Sequence, residues 1–143
     1  MSEKKILEIG CGTGPLATNF LKHDYDYTGL NLSEEMLEIA REVEADARYV
    51  QGDMRNLKLG EIYDAIIKTG RSFAHLTENN DVINALRSVR NHLKTSGVLI
   101  FDNFDASVIF GNFKSKSDKE VVSGDKIIRR SSQSIMSLHS GWT

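Results

Sequence analysis

The run Ile6-Leu7-Glu8-Ile9-Gly10-Cys11-Gly12-Thr13-Gly14-Pro15 constrains the fold more than any other stretch of this chain. A short apolar segment carrying one acid breaks into three alternating glycines, and a proline then opens an amphipathic segment. This is the pattern of a strand, a tight turn and a helix start. Glycine admits positive φ and lets a ligand approach the backbone with no Cβ in the way. Pro15 suits a first helical turn, where its missing N–H costs nothing. The turn is expected to present backbone N–H groups and a helix N-terminus at the carboxyl end of a strand, where open α/β sheets bind ligands. The spacing is not the G-x-G-x-x-G of a dinucleotide site, because the third glycine comes one residue early and Pro15 follows it. A glycine turn that merely packs remains the alternative at this point.

Strands and helices alternate after that turn. Leu16, Ala17, Phe20 and Leu21 recur at helical spacing, so a first helix is expected from Pro15 to about His23, with His23 and Asp24 solvated near its end. Tyr25 to Asn31 reads as a second strand, with Gly29 a point of close approach. Ser33 is a good N-cap, Glu34 and Glu35 favour the helix dipole, and Leu32 and Leu37 stand at hydrophobic-staple positions. That helix runs to about Val43, with Met36, Ile39, Ala40 and Val43 on one face and Met36 read as core. Ala47 to Gln51 forms a short third strand, followed at once by Gly52-Asp53-Met54. Ile62 to Lys68 is a fourth strand and 69–76 a polar loop. Asn80 or Asp81 caps a helix to about Leu93, with Arg87 and Arg90 on its wet face. After a turn from Lys94 to Gly97, Val98 to Phe101 reads as a near-continuously apolar fifth strand of the kind found inside parallel sheets. This order predicts an α/β, Rossmann-like parallel sheet of about five strands flanked by helices. Right-handed crossovers gather the ends of the first, second and fourth strands around one crevice.

After Asp102 the periodicity changes. Phe104 to Phe113 holds aromatics with neither a helical nor a strand period. Ser115 to Lys119 is polar, and Glu120–Val122, Ser123-Gly124-Asp125 and Lys126–Ser137 read as a β-hairpin. Lys126, Arg129 and Arg130 suit a solvated strand face better than a phosphate site. The expected organisation is therefore a core over 1–105 and a β-rich insertion or cap over 106–143. Trp142 lies next to the last residue, and a domain seldom ends on its only tryptophan, so the chain reads as cut short.

Composition narrows the function classes. The 143 residues suit one soluble domain, and a net charge of −2 provides no field to attract nucleic acid or an anionic membrane. Cys11 is the only cysteine, which excludes an intrachain disulfide and a thiolate metal cluster and suits the cytoplasm. No apolar run approaches the roughly 20 residues of a membrane span.

Four stations agree in order and spacing: the glycine turn, Gly29-Leu30-Asn31-Leu32-Ser33-Glu34-Glu35-Met36-Leu37, Gly52-Asp53-Met54-Arg55-Asn56-Leu57, and His92-Leu93-Lys94-Thr95-Ser96-Gly97-Val98-Leu99-Ile100. Together they resemble the class I S-adenosylmethionine-dependent methyltransferases, in particular the small-molecule branch with sugar-amine and glycine N-methyltransferases. The resemblance covers residues 4 to about 105 and implies S-adenosylmethionine as cofactor. It implies that Glu8 orients the cofactor's amino-acid end, and that Gly10, Gly12 and Gly14, with Cys11 and Thr13 between them, wrap it. By the same resemblance Asp53 accepts a hydrogen bond from the adenine amine, Met54 flanks the ring, and Thr69 and Gly70 lie below the methionine portion. Asn31, beside Leu32, departs from the acid usual at the ribose position. A neutral acceptor in place of a charge-assisted one costs roughly 1 kcal/mol. The family's final antiparallel strand pair and its helix before the first strand are also missing. The apolar fifth strand then becomes a sheet edge, to be covered by the Lys126–Ser137 arm or paired with a second copy in a homodimer.

The resemblance implies methyl transfer to a nitrogen or oxygen of a small molecule by in-line attack, where alignment supplies most of the catalysis. His75 is the candidate base or substrate contact and Arg71 the candidate holder of an anionic substrate group, both on loop position. The competing reading is a cofactor-binding unit or fragment that transfers nothing. A nicotinamide dehydrogenase domain fits worse, on glycine spacing and on Asn31. No basic, aromatic-studded face suggests nucleic acid.

Overall fold

The glycine turn does begin at the end of a strand. The structure, a computed structural model, describes residues 4–70, 75–103, 111, 114–123 and 126–133. Its elements are β1 (Lys4–Ile9), α1 (Ala17–Leu21), β2 (Tyr25–Asn31), α2 (Glu34–Val43), β3 (Arg48–Gln51), β4 (Tyr63–Lys68), α3 (Asn79–Asn91), β5 (Leu93–Phe101), β6 (Lys116–Ser123) and β7 (Lys126–Gln133). A single 3₁₀ turn, Met54–Asn56, follows β3. The first five strands form one parallel sheet in the order β3-β2-β1-β4-β5. The chain steps outward from β1 to β3 and then crosses back to β4. The switch point therefore lies between β1 and β4, and the crevice opens at their carboxyl ends.

Two apolar clusters cover the two faces of the sheet. Leu7, Ile9, Leu30, Tyr63 and Ile66 pack with Val89 of α3. Tyr27 and Tyr49 pack with Ala17 of α1, Leu37 and Ala40 of α2, and Cys11. The alternation of β1 explains the split. Leu7 and Ile9 face one layer, and Glu8 between them faces the other, where the Tyr27 hydroxyl donates to its Oε2 at 2.5 Å.

Several boundaries differ from the sequence reading, each for a local reason. Helix α1 is five residues, because Pro15 and Leu16 are spent in the turn and Leu16 takes the N-cap position. Ser33 does cap α2, accepting from the Met36 N–H at 3.2 Å. The buried face of α2 is Leu37 and Ala40, while Met36, Ile39 and Val43 are exposed. Leu32, expected to staple against Leu37, is 68% exposed. Strand β5 starts at Leu93, with no separate turn before it. Its register against β4 jumps from Tyr63↔Leu93 to Ala65↔Val98, so Lys94–Gly97 bulges within the strand. Gly97 suits that bulge, since a Cβ there would lie 3.0 Å from the Lys94 carbonyl oxygen and 3.1 Å from that of Asp64. β5 closes the sheet as its last strand, with Val98, Ile100 and Phe101 exposed, so its apolar run does not mark an interior position.

The chain divides into two compact units, Met1–Asn103 and Phe104–Thr143. In the second, β6 and β7 form an antiparallel ribbon from Lys116↔Gln133 to Ser123↔Lys126. Its first arm starts at Lys116, four residues before the sequence suggests. Expectations for Phe104–Phe110 and for residues beyond Gln133 lie outside the described residues. Among the described residues no helix is long and apolar enough to cross a membrane.

Candidate functional site

A cleft of about 390 Å³ opens at the carboxyl ends of β1 to β4. Each strand contributes residues in turn: Ile9, Gly10 and Gly12 from β1 and its turn, Leu30, Asn31 and Leu32 from β2, and Gly52, Asp53, Met54 and Arg55 after β3. Lys68 closes β4, and His75 and Leu76 come from the following loop. A larger depression of about 530 Å³ lies at the opposite ends of the strands, among Lys5, Glu61, His92 and Lys94. It is more open, and Lys5, Glu61 and Lys94 are taken up in ion pairs with neighbouring side chains. The first cleft is therefore the better candidate, because its polar groups converge on one volume.

The glycine turn works differently from the sequence expectation. The Gly10 and Cys11 N–H groups both donate to the Leu30 carbonyl, at 2.7 and 3.1 Å, and Gly14 N–H donates to the Cys11 carbonyl at 3.0 Å. Three amides of the turn therefore hold the turn itself. Gly12, at φ +57°, has open space where a Cβ would stand, so it is the close-approach residue. Gly14, at φ +75°, is a packing residue, with a virtual Cβ 2.5 Å from the Tyr49 hydroxyl oxygen. Cys11 points into the core, and burial pushes its thiol up to about 12, which removes it as a nucleophile. Thr13 is exposed and does not line the cleft.

Three acceptors lie along the cleft or beneath it. Glu8 is 3% exposed, and burial raises its carboxyl above the ordinary range against the opposing pull of the Tyr27 hydroxyl and the Lys68 charge. Asn31 donates through Nδ2 to the Ser33 carbonyl at 3.3 Å, which leaves its amide oxygen as the acceptor. Asp53 caps the 3₁₀ turn through Oδ1, accepting from the Arg55 N–H at 2.9 Å. The Arg55 side chain also grips Asp53, with Nε 2.9 Å from Oδ2 and 3.1 Å from Oδ1, and extends Nη1 to Asp81 at 2.9 Å. That guanidinium holds the Asp53 carboxyl below its usual range, so the acceptor stays ionised at acidic pH.

Gly70, at φ +76°, follows β4 with Thr69, and its N–H donates to Asp102 Oδ2 at 3.3 Å. Neither residue is part of the cleft wall. His75 is exposed on the wall, and Arg71 lies outside the described residues. Three contributors were missed in the sequence. Met36, read as core, lines the cleft beside Leu32. Arg55 was not singled out, though its place two residues after Asp53 made a cap contact available. Lys68 is 1% exposed, and the signal was visible as a lysine ending the apolar run Ala65-Ile66-Ile67.

The arrangement suits an adenosine carrying an amino acid. A carboxylate and an apolar thioether wall (Asp53 and Met54) stand at one end, an amide acceptor in the middle, and a buried acid beneath the other. Among the described residues no group of His, Cys, Asp and Glu is placed to hold a metal ion.

Comparisons with known proteins identify the family. Residues 6–97 match a family described as a methyltransferase domain. The chain is 36% identical over 97 residues to dTDP-3-amino-3,4,6-trideoxy-alpha-D-glucopyranose N,N-dimethyltransferase of Streptomyces venezuelae, a match covering 68% of this chain and 41% of that protein. It is 32% identical over 121 residues to glycine/sarcosine N-methyltransferase of Aphanothece halophytica, covering 79% of this chain and 45% of that one. Among solved structures it resembles Streptomyces venezuelae DesVI, at TM-score 0.80 and 29% identity, over 95% of this chain and 57% of the other. It also resembles S-adenosylmethionine-bound CalS10, an amino pentose methyltransferase from Micromonospora echinaspora, at TM-score 0.81 and 25% identity, over 95% and 57% of the two chains. The chain thus spans less than half the length of these two curated relatives.

Proposed function

The chain belongs to the methyltransferase-domain family, of the class I S-adenosylmethionine-dependent kind, and on that premise we propose that it takes part in methyl transfer to a nitrogen of a small amine, such as an amino sugar. The observation that carries this reading is the row of acceptors from Asp53 through Asn31 to Glu8 across three adjacent strands, β3, β2 and β1. Relatives named as sugar N,N-dimethyltransferases support nitrogen over oxygen as the acceptor atom.

S-adenosylmethionine, when bound, supplies a methyl carbon on a sulfonium. Asp53 accepts from the adenine amine while Met54 and Leu32 offer apolar surface to the ring. Asn31 accepts from a ribose hydroxyl, and Glu8 draws the ligand's ammonium end toward β1. With the cofactor so held by Asp53, Asn31 and Glu8, its methyl carbon would be open to in-line attack by the acceptor's lone pair, with the carbon–sulfur electron pair left on sulfur. An amine that arrives neutral needs only to lose a proton afterwards, and we assign that proton to His75, which lines the cleft. The chain's main contribution is alignment. In the described sheet β5 is last in the order, and pairing with a second copy along it would give a homodimer.

Calorimetric titration with S-adenosylhomocysteine tests the site, with NADH as control. Asp53→Ala is expected to weaken binding about tenfold, the loss of one charge-assisted hydrogen bond. Equal affinity in the variant, or binding of NADH alone, would remove the assignment. A second reading is favoured by the share of its relatives' length that the chain spans: it binds the cofactor without transferring the methyl group. Binding with no transfer to an amino sugar would select that reading.

A further inference from the structure

Arg55 leaves Asp53 no oxygen to spare. A carboxylate has about four lone-pair positions. Oδ1 of Asp53 accepts from the Arg55 backbone N–H at 2.9 Å and from Arg55 Nε at 3.1 Å. Oδ2 accepts from the same Nε at 2.9 Å and from Nη2 at 2.6 Å. All but the first of these come from one guanidinium, and both residues stand on the wall of the cleft. The turn imposes this. Asp53 is the N-cap of Met54–Asn56, so the Arg55 backbone is bonded to its carboxylate and the Arg55 side chain starts beside it. The group assigned to the adenine amine is thus filled by a donor from its own chain.

The arginine has a second partner. Nη1 donates to Oδ2 of Asp81, in the first turn of α3, at 2.9 Å. A guanidinium carries its N–H donors in a fixed fork, so Arg55 can leave Asp53 and stay paired with Asp81. The Arg55 and Asp53 side chains are 45% and 33% exposed. Water screens their attraction, and breaking such a pair costs little.

We propose that Arg55 competes with the adenine amine for Asp53 and so sets the affinity of the cleft for adenosyl ligands: the amine enters as the guanidinium withdraws toward Asp81, while the Arg55 backbone N–H stays on Oδ1. This competition rests on the assignment of Asp53 to adenine. It makes the arginine a brake on binding. Losing an exposed pair of this kind is worth about fivefold in an equilibrium constant. The brake is specific to the amine. A ring with hydrogen in place of the 6-amine has no donor to offer Asp53, so it binds without moving Arg55.

The measurement is calorimetric titration with S-adenosylhomocysteine and with its analogue bearing hydrogen in place of the adenine amine. Arg55→Ala is expected to tighten S-adenosylhomocysteine about fivefold and to leave the affinity of the analogue unchanged. Arg55→Lys keeps the charge without the fork and should tighten it less. It also keeps the proposal falsifiable should the Ala variant fail to fold. A second readout needs no ligand. Arg55 holds the Asp53 carboxyl below its usual range, and in Arg55→Ala its titration, followed by NMR, should move back up. Unchanged or weaker S-adenosylhomocysteine binding in Arg55→Ala overturns the proposal. Equal tightening of both ligands overturns it too, because a general charge or steric effect would do that. So does an unmoved Asp53 titration. Asp53→Ala separates this inference from the reading beneath it. If that variant binds S-adenosylhomocysteine more weakly and Arg55→Ala does not bind it more tightly, the competition fails alone. If Asp53→Ala binds as the wild type does, or the wild type binds neither ligand, the adenine site fails with it.

Discussion

The two ends of the five-stranded sheet are built on opposite principles. At the amino ends, charge meets charge near the surface: Lys5 pairs with Glu61 at 2.5 Å and Asp26 at 3.3 Å, Arg48 pairs with Glu61, and Lys94 pairs with Asp64 at 2.8 Å. At the carboxyl ends, Glu8 and Lys68 are buried beneath a cleft, and glycines replace side chains. Exposed pairs are cheap to make and contribute little. Buried charges are costly and persist where neighbours hold them or a ligand uses them. The difference teaches that the sheet is closed at one end by interchangeable surface pairs and carries, at the other, buried ionisable groups such as Glu8, which the Tyr27 hydroxyl holds.

Substitutions can break this contrast at graded strengths. The largest effect is expected for Gly14→Ala, which forces a Cβ into φ +75° and to 2.5 Å from the Tyr49 hydroxyl oxygen. Strain and overpacking together should destabilise the chain by about 2–4 kcal/mol, read as a lower urea midpoint. Tyr27→Phe comes next, at about 1–3 kcal/mol at pH 7, because Glu8 loses its hydroxyl donor while buried. Its sign is set by linkage. Burial already raises the folded Glu8 carboxyl above the ordinary 4.5, and losing Tyr27 raises it further. A raised acid weakens the native state as pH rises through that interval, so the deficit of the variant should grow from pH 4 to pH 7 and shrink below it. Urea midpoints at both pH values check this. The smallest effect is expected at the other end. Glu61→Ala removes the partner of both Lys5 and Arg48, yet should cost no more than about 1 kcal/mol and leave ligand affinity unchanged. A large loss there, or a change in S-adenosylhomocysteine binding, would mean that the two ends are not independent.

Much of the fold was legible because it depends on local patterns. The alternation of apolar runs with capped, periodic segments predicted all five parallel strands in order, and Ser33 caps α2 as its position suggested. The glycine turn and the Gly52-Asp53-Met54 corner both face the cleft, because strand ends carry their turns with them. What was not legible depended on neighbours. Met36 lies on a helical stripe that reads as core, but Leu37 and Ala40 took the sheet and left Met36 to the cleft. The apolar run of β5 has the same composition at an edge as in an interior. The Gly10 and Cys11 amides looked available to a ligand until β2 brought the Leu30 carbonyl beneath them.

The sequence by itself determined the strand–turn–helix order, the glycine positions and the acceptors at the strand ends, because each follows from backbone freedom or from a period within a dozen residues. Only the tertiary structure decided the electrostatics. Glu8 and Lys68 are 60 positions apart, and their charges act on one another because β4 returns beside β1. Arg55 is tied to both Asp53 and Asp81 because α3 begins next to the turn after β3. Burial and charge proximity are properties of three-dimensional neighbours, and they shift the carboxyl of Glu8 up, that of Asp53 down and the ammonium of Lys68 down.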